Sequence, residues 1–395
     1  MSSLPNEILS HIFEICFLNQ DTQNLGCIRP WRDCALSTRL LWSKLSVGLM
    51  AGNSWLDRAG QIPLSIDLYY GEPEFDHEAL EDVFTPSRNW KAVSLEVYEP
   101  TYNPCVQEIL EAVLIHAPML ESFSIRLTGI VPSESRTLLV PTRTIEIGFT
   151  PRLSTISVHP SYRFRLSLSN VHVYGNIRDL TLRWPKSISH CLHILERCPN
   201  VEVLRISLTE EQPPPPRTVV LTLKKLHTLN LCGYVDGAKD FGDFLDGLTT
   251  PSLAELTIQV GMTFKSTSPR HWPNLFQLLV RSQPPLKTLT LMGTHMTANT
   301  IVDCLRNTPQ LTVISGDKEL FSPIVMDALT PSLQPLKVAL CPMLRVIGVK
   351  GEPASLPALT WMIYSRWKLS KQKLSGEIYE VQSPAVDDHQ VPRRM

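Results

Sequence analysis

The 395-residue chain has no uninterrupted apolar run of about 18 residues, so no membrane-spanning helix is expected. Its opening residues lack the charged stretch and following apolar core of a secretory leader. Charge is sparse, with 19% Asp, Glu, Lys and Arg, and the two signs nearly cancel at a formal net of −1. That balance gives no electrostatic reason for nucleic acid or an anionic membrane to be the main partner. There is no glycine run to cradle phosphate, no nucleophile elbow and no His-Glu-x-x-His zinc-protease pattern. Nine cysteines, an odd number scattered from Cys16 to Cys341 without a Cys-x-x-Cys pair, fit reduced thiols better than a disulfide framework. The nearest thing to a ligand cluster is His190, Cys191, His193 and Cys198, whose spacing is not that of a zinc finger. On a helix the two cysteines are one heptad apart and share a face, as buried small residues do. These absences predict a protein that is not an enzyme and has no catalytic residues, metal or cofactor. They place it inside the cell, in the cytoplasm or the nucleus.

What the chain does have is apolar content, 43% of its residues, enough for a large core or two domains. It also repeats itself. A unit of the form Leu-x-x-Leu-x-Leu starts at Leu120, Leu153, Ile177, Val201, Leu226, Leu253, Leu286, Leu311 and Leu344, at intervals of 24 to 33 residues. Such intervals suit an irregular leucine-rich repeat. Between these strand-like units lie helix-like ones, at Val106 to His116, Cys191 to Cys198, Phe276 to Arg281 and Ile301 to Asn307, with a proline following, as Pro199 and Pro309 do. Parallel strands need crossovers, and helices are the usual ones. The predicted fold is therefore α/β: a short helical N-terminal module, then a solenoid with a parallel sheet on one face and helices on the other. Residues 1–46 form the module, 47–100 a connecting segment with degenerate first repeats, 101–375 the repeat domain and 376–395 a tail whose polar end is expected to be disordered. Strands are expected at Ile62 to Leu68 and Val93 to Val97, and Leu359 to Leu369 is expected to close the far end. Pro213 to Pro216 and Ser133 to Thr144 are expected to be surface excursions.

Alternate side chains of a strand point to opposite faces, so the leucines go inward and the residues between them outward. The outward set around the middle repeats gives the candidate target-binding residues Asp179, Thr181, Arg183, Arg205, Ser207, Thr228, Asn230, Glu255 and Thr257. This mixed, mostly neutral surface suits a protein or peptide ligand.

The N-terminus carries a different signal. A helix started by Pro5, where no hydrogen bond is lost, puts Ile8, Leu9, Ile12, Phe13, Cys16 and Phe17 on one broad apolar face. Trp31, Ala35, Leu36, Leu40, Leu41, Trp42 and Leu45 supply a second apolar set. Short helices of this kind bury too little on one another, so part of the face should meet another polypeptide. The pattern Leu4-Pro5-x-Glu7-Ile8-Leu9-x-x-Ile12-Phe13, followed by Trp31-Arg32-Asp33-x-Ala35-Leu36-Ser37-Thr38 and Leu41-Trp42-x-x-Leu45, resembles the F-box. The continuation from Ser54 to Ile66 is similar to the segment that follows it in the large F-box families of mushroom-forming fungi. The resemblance implies helices that dock on a Skp-type adaptor and through it on a cullin ubiquitin ligase, while the rest of the chain selects an unnamed target protein. By position it assigns the adaptor-binding role to Leu4, Pro5, Ile8, Leu9, Ile12, Phe13, Trp31, Leu41 and Trp42. Two positions depart from the family pattern: Arg39, where a proline is usual, and Pro30, inside an expected helix. They motivate the alternative of a leucine-rich interaction scaffold with no ligase connection.

Overall fold

The structure, a computed structural model, describes residues 38–47, 58–70, 89–98, 114, 117–128, 143–148, 150–159, 164–168, 173–183, 188–208, 220–234, 237–261, 272–331, 340–351 and 354–375. A 3₁₀ turn at Arg39–Trp42 leads into β1 (Lys44–Val47), followed by β2 (Leu64–Tyr70), β3 (Trp90–Tyr98), β4 (Ser122–Thr128), β5 (Arg143–Ile147), β6 (Thr155–His159), β7 (Phe164–Leu168) and β8 (Asp179–Arg183). Helix α1 (Ile188–Arg197) precedes β9 (Val203–Leu208), β10 (Leu221–Thr222) and β11 (Thr228–Tyr234). Helix α2 (Gly237–Asp246) precedes β12 (Leu248–Thr249) and β13 (Glu255–Gly261). Then helices and strands alternate: α3 (Pro273–Ser282), β14 (Thr288–Met292), α4 (Ala298–Arg306), β15 (Val313–Gly316), α5 (Pro323–Leu329), β16 (Val346–Val349) and α6 (Leu356–Ser375).

The molecule is α/β. Among the described residues, twelve strands form one sheet in the order β1-β2-β3-β4-β6-β8-β9-β11-β13-β14-β15-β16, so each strand pairs with the one a turn earlier. All the pairings are parallel, and every expected Leu-x-x-Leu-x-Leu unit supplies one strand. The strands expected at Ile62 to Leu68 and Val93 to Val97 are β2 and β3, full members of the sheet. The sheet begins at β1, which straddles the boundary expected at residue 46.

Register follows from the apolar pattern, because a slip of one residue would turn every leucine to the other face. Leu180, Leu204, Leu229, Leu256 and Leu289 lie side by side on five neighbouring strands, all fully buried. The same row runs outward through Ile156, Phe123, Val93 and Ile66 on one side and Ile314 and Ile347 on the other. A second row, two residues on, runs from Leu68 through Leu95, Ile125, Val158, Leu182, Ile206, Leu231 and Ile258 to Leu291. It continues into Gly316, where a side chain could not fit: a Cβ would stand 2.3 Å from the Leu291 carbonyl oxygen and 2.7 Å from Leu320 Cδ2.

The turns repeat as closely as the strands. In eight of the nine units the first residue donates its N–H to the carbonyl three residues back, as in Leu153 to Thr150, Val201 to Cys198 and Leu311 to Thr308; Leu286 donates to Pro284, two residues back. The next carbonyl is shared. Those of Glu121, Ser154, Arg178, Glu202, His227, Ala254, Lys287 and Thr312 each accept two N–H groups from the following turn, at 2.8–3.1 Å. Side chains add a third tie: Asn200 donates to the Gly175 carbonyl at 2.8 Å, Ser252 to Lys224 at 2.7 Å, and Asn176 to Pro151. Buried backbone groups thus find partners in the neighbouring turn, as burial requires.

Return segments cover the inner face of the sheet. Four short strands lie among them, paired parallel as β5 with β7, where Ile147 and Leu168 are buried, and β10 with β12. Later ones are helices with one apolar stripe; α1 buries Ile188, Cys191, Leu192, Ile194 and Leu195. The helices expected around Cys191 to Cys198, Phe276 to Arg281 and Ile301 to Asn307 are α1, α3 and α4. The helix expected at Val106 to His116 and the polyproline run lie outside the described residues, Leu114 excepted, and Leu114 is buried. Helix α6 closes the end as expected, with Leu359 and Met362 turned into the core.

Candidate functional site

The outward face of the sheet at β8, β9, β11 and β13 collects all nine candidate target-binding residues. They fall on three rows: Asp179, Val203, Thr228 and Glu255; Thr181, Arg205, Asn230 and Thr257; Arg183, Ser207, Cys232 and Gln259. The rows are set by the buried ladder beneath them, since each outward residue sits between two inward ones. In β13 that alternation is complete, with Glu255 and Gln259 exposed and Leu256, Ile258 and Val260 buried.

The two arginines of the set have different surroundings. Arg205 Nη1 donates to both carboxylate oxygens of Asp179, at 2.7 and 2.9 Å, so its charge is locally neutralised. The pair is half exposed and contributes about 0–1 kcal/mol to stability. Arg183 is exposed and makes no ion pair or hydrogen bond among the described residues. Thr181 is buried between them, and Thr228 Oγ1 lies 3.3 Å from Glu255 Oε2.

Next to this grid, on β6, stands His159. Its Nε2 is 3.1 Å from Ser157 Oγ, and it is opposite Arg126 in the register of β4 and β6. Burial, then Arg183, then Arg126, push its pKa down to about 4, so the ring is neutral at pH 7. Arg126 itself lies 3.9 Å from Glu96 on the strand before. Arg126 and Arg183 thus both act on the neutral ring of His159, and of the two arginines Arg183 has no ion pair among the described residues. Sequence reading places all three outward but does not join them, because a period of two gives the face and not the neighbours. It also misses a charged row at the strand starts, where Arg178 Nη1 is 2.7 Å from Glu202 Oε1 and His227 Nε2 is 3.9 Å from Glu202 Oε2.

Among the described residues, no group of three His, Cys, Asp or Glu side chains is arranged to hold a metal ion. Cys191 and Cys198 are buried as free thiols, and burial drives both pKa values up, that of Cys198 to about 12. His193 points the other way and meets Glu196 at 3.4 Å. No described helix is long and apolar enough to cross a membrane.

Of the adaptor candidates, Leu4, Pro5, Ile8, Leu9, Ile12, Phe13 and Trp31 lie outside the described residues. Leu41 and Trp42 sit in the 3₁₀ turn before β1. Trp42 is half-buried against the edge of the core, with the Arg58 guanidinium 4.7 Å from its ring centroid, so part of this indole serves the repeats. No family model matches the chain, and no curated protein matches it in sequence.

Proposed function

We propose that this protein is the target-recruiting subunit of a Skp/cullin/F-box-type ubiquitin ligase, with no catalysis of its own. An N-terminal F-box module, Leu4 to Phe17 with Trp31 to Trp42, binds a Skp-type adaptor, and a leucine-rich-repeat solenoid holds the target on its outward face. Holding a target beside the ligase raises its effective concentration, which is all such a subunit has to do. The observation that carries this reading is the ordered grid of outward residues on β8 to β13, in the same chain as an apolar N-terminal motif too small to satisfy itself. The alternative is a leucine-rich interaction scaffold without a ligase connection. It is favoured by the half-burial of Trp42 against the core, together with Pro30 and Arg39.

The two readings separate at the adaptor. Fully burying a side chain such as Ile8, Leu9 or Phe13 contributes roughly 1.5–3 kcal/mol, and about 1.4 kcal/mol is a factor of ten in affinity. Capture of a Skp-type adaptor by the full chain is therefore expected, and Ile8→Ala with Leu9→Ala should weaken it by at least about tenfold while circular dichroism stays unchanged. A parent chain that captures no adaptor, or a double variant that captures it equally well, leaves the scaffold reading in place.

A further inference from the structure

The end of the array carries a surface of a different kind. Helix α6 buries Leu359 and Met362 but leaves Trp361 63%, Tyr364 49% and Trp367 50% exposed on its opposite side. The three rings follow one another at three-residue steps, with centroids 6.1 and 6.0 Å apart. Such spacing keeps them on one stripe of the helix. Leu356, Pro357 and Thr360 join Trp361 and Tyr364 around a shallow, open apolar hollow of about 450 Å³.

Charge on this helix is of one sign. Leu356–Ser375 contains Arg366, Lys368, Lys371 and Lys373 and not a single Asp or Glu, in a chain whose net charge is −1. Arg366 is turned inward and used by the fold. Lys368 and Lys371 are exposed beside the aromatic stripe, and no ion pair among the described residues involves either. Lys371 Nζ lies 4.3 Å from the Trp367 ring centroid, extending the cationic edge over the aromatic one.

We propose that this face of α6 is a docking site for an acidic amphipathic segment of another protein, an apolar side chain entering the hollow and carboxylates meeting Lys368 and Lys371. Large amphipathic rings that bury much area at low entropic cost are what interface anchors are made of. Charge complementarity selects the partner: a second copy of the chain would set lysine against lysine, whereas an acidic segment meets Lys368 and Lys371 with carboxylates. The site is separate from the sheet grid and does not rest on the ligase reading.

The test uses the full chain and a fluorescein-labelled helical peptide with Leu and Phe on one face and Glu on the other, followed by anisotropy. The peptide is expected to bind, more weakly as salt is raised. Both Trp361→Ala with Trp367→Ala and Lys368→Glu with Lys371→Glu should weaken it at least about tenfold. These side chains are exposed, so unchanged thermal unfolding of the variants is expected and checks the fold. Four results would overturn the proposal: no binding by the parent, equal binding by the variants, equal binding of a peptide with Lys in place of Glu, or binding of phosphatidylserine vesicles in preference to the peptide. Sedimentation showing a dimer that Trp361→Ala dissolves would assign the face to a second copy instead, and would also overturn it.

Discussion

His159 shows how the fold sets the charge of one residue on the outward face of the sheet. Its folded pKa of about 4 lies below the ordinary 6.5, chiefly through burial and then through Arg183 and Arg126. Between those two values the unfolded chain takes up a proton that the folded chain refuses. The neutral ring therefore supports folding above pH 6.5, and that support is lost as pH falls toward 4. Urea unfolding at pH 7 and pH 5 should show a smaller acid loss of stability for His159→Gln than for the parent; equal losses would mean the ring titrates normally. An anionic target close to Arg183 should move the ring's titration upward, which imidazole NMR signals would report. At this scale the sequence is informative about side and silent about partners. Asp179 stands opposite Val203, and Arg205 reaches it only diagonally, so the pair depends on register as well as on alternation. Such diagonal contacts are within reach of long side chains.

At the scale of elements, α6 is held by an arginine rather than by apolar contact alone. Arg366 Nε and Nη2 donate to the Leu329 carbonyl at 2.9 and 2.7 Å, Nη2 also to Leu340 at 2.6 Å, and Nη1 to Cys341 at 3.0 Å. Leu329 ends α5, so the cation sits at the negative end of that helix. Arg281 of α3 does the same for the end of α2, donating to Leu245 at 2.8 Å and to Leu248 at 2.6 and 3.0 Å. Arg366→Lys should lose about 2–4 kcal/mol, because an ammonium cannot serve three carbonyls spread around a planar fork. Denaturant unfolding measures the loss, and hydrogen exchange should place it in α6; a variant as stable as the parent would refute this role. The strands were easy to find in the sequence because their period of two recurs at nine starts. Helices α1, α3 and α4 followed from apolar spacing. Helix α2, with Gly237 and Gly242 in ten residues, and the seven-residue α5 offer too short or too interrupted a stripe to read. The return strands β5 and β7 gave no sign because a five-residue segment paired only with a neighbouring turn needs no pattern beyond a few apolar residues.

At the scale of the molecule, each strand of the large sheet among the described residues is bonded only to its immediate neighbours, so stability is a sum over adjacent pairs. The buried rows of leucine and isoleucine set a common core, and the outward grid inherits its spacing from them. The apolar repeat is thus both the most readable feature of the sequence and the reason that the outward residues fall in rows. The shared carbonyls between turns have a mechanical consequence. Each of those eight oxygens is a paired latch that opens only when the turn beyond it leaves. Pulled from its C-terminus in an optical trap, the array should peel one turn at a time. Each release of 24 to 33 residues should add about 80–120 Å of contour length, giving steps whose unequal sizes follow the order of the repeats. A single all-or-none rupture would show that the latches act together. A ladder of steps would make the chain a ruler, with its own irregular intervals as the graduations.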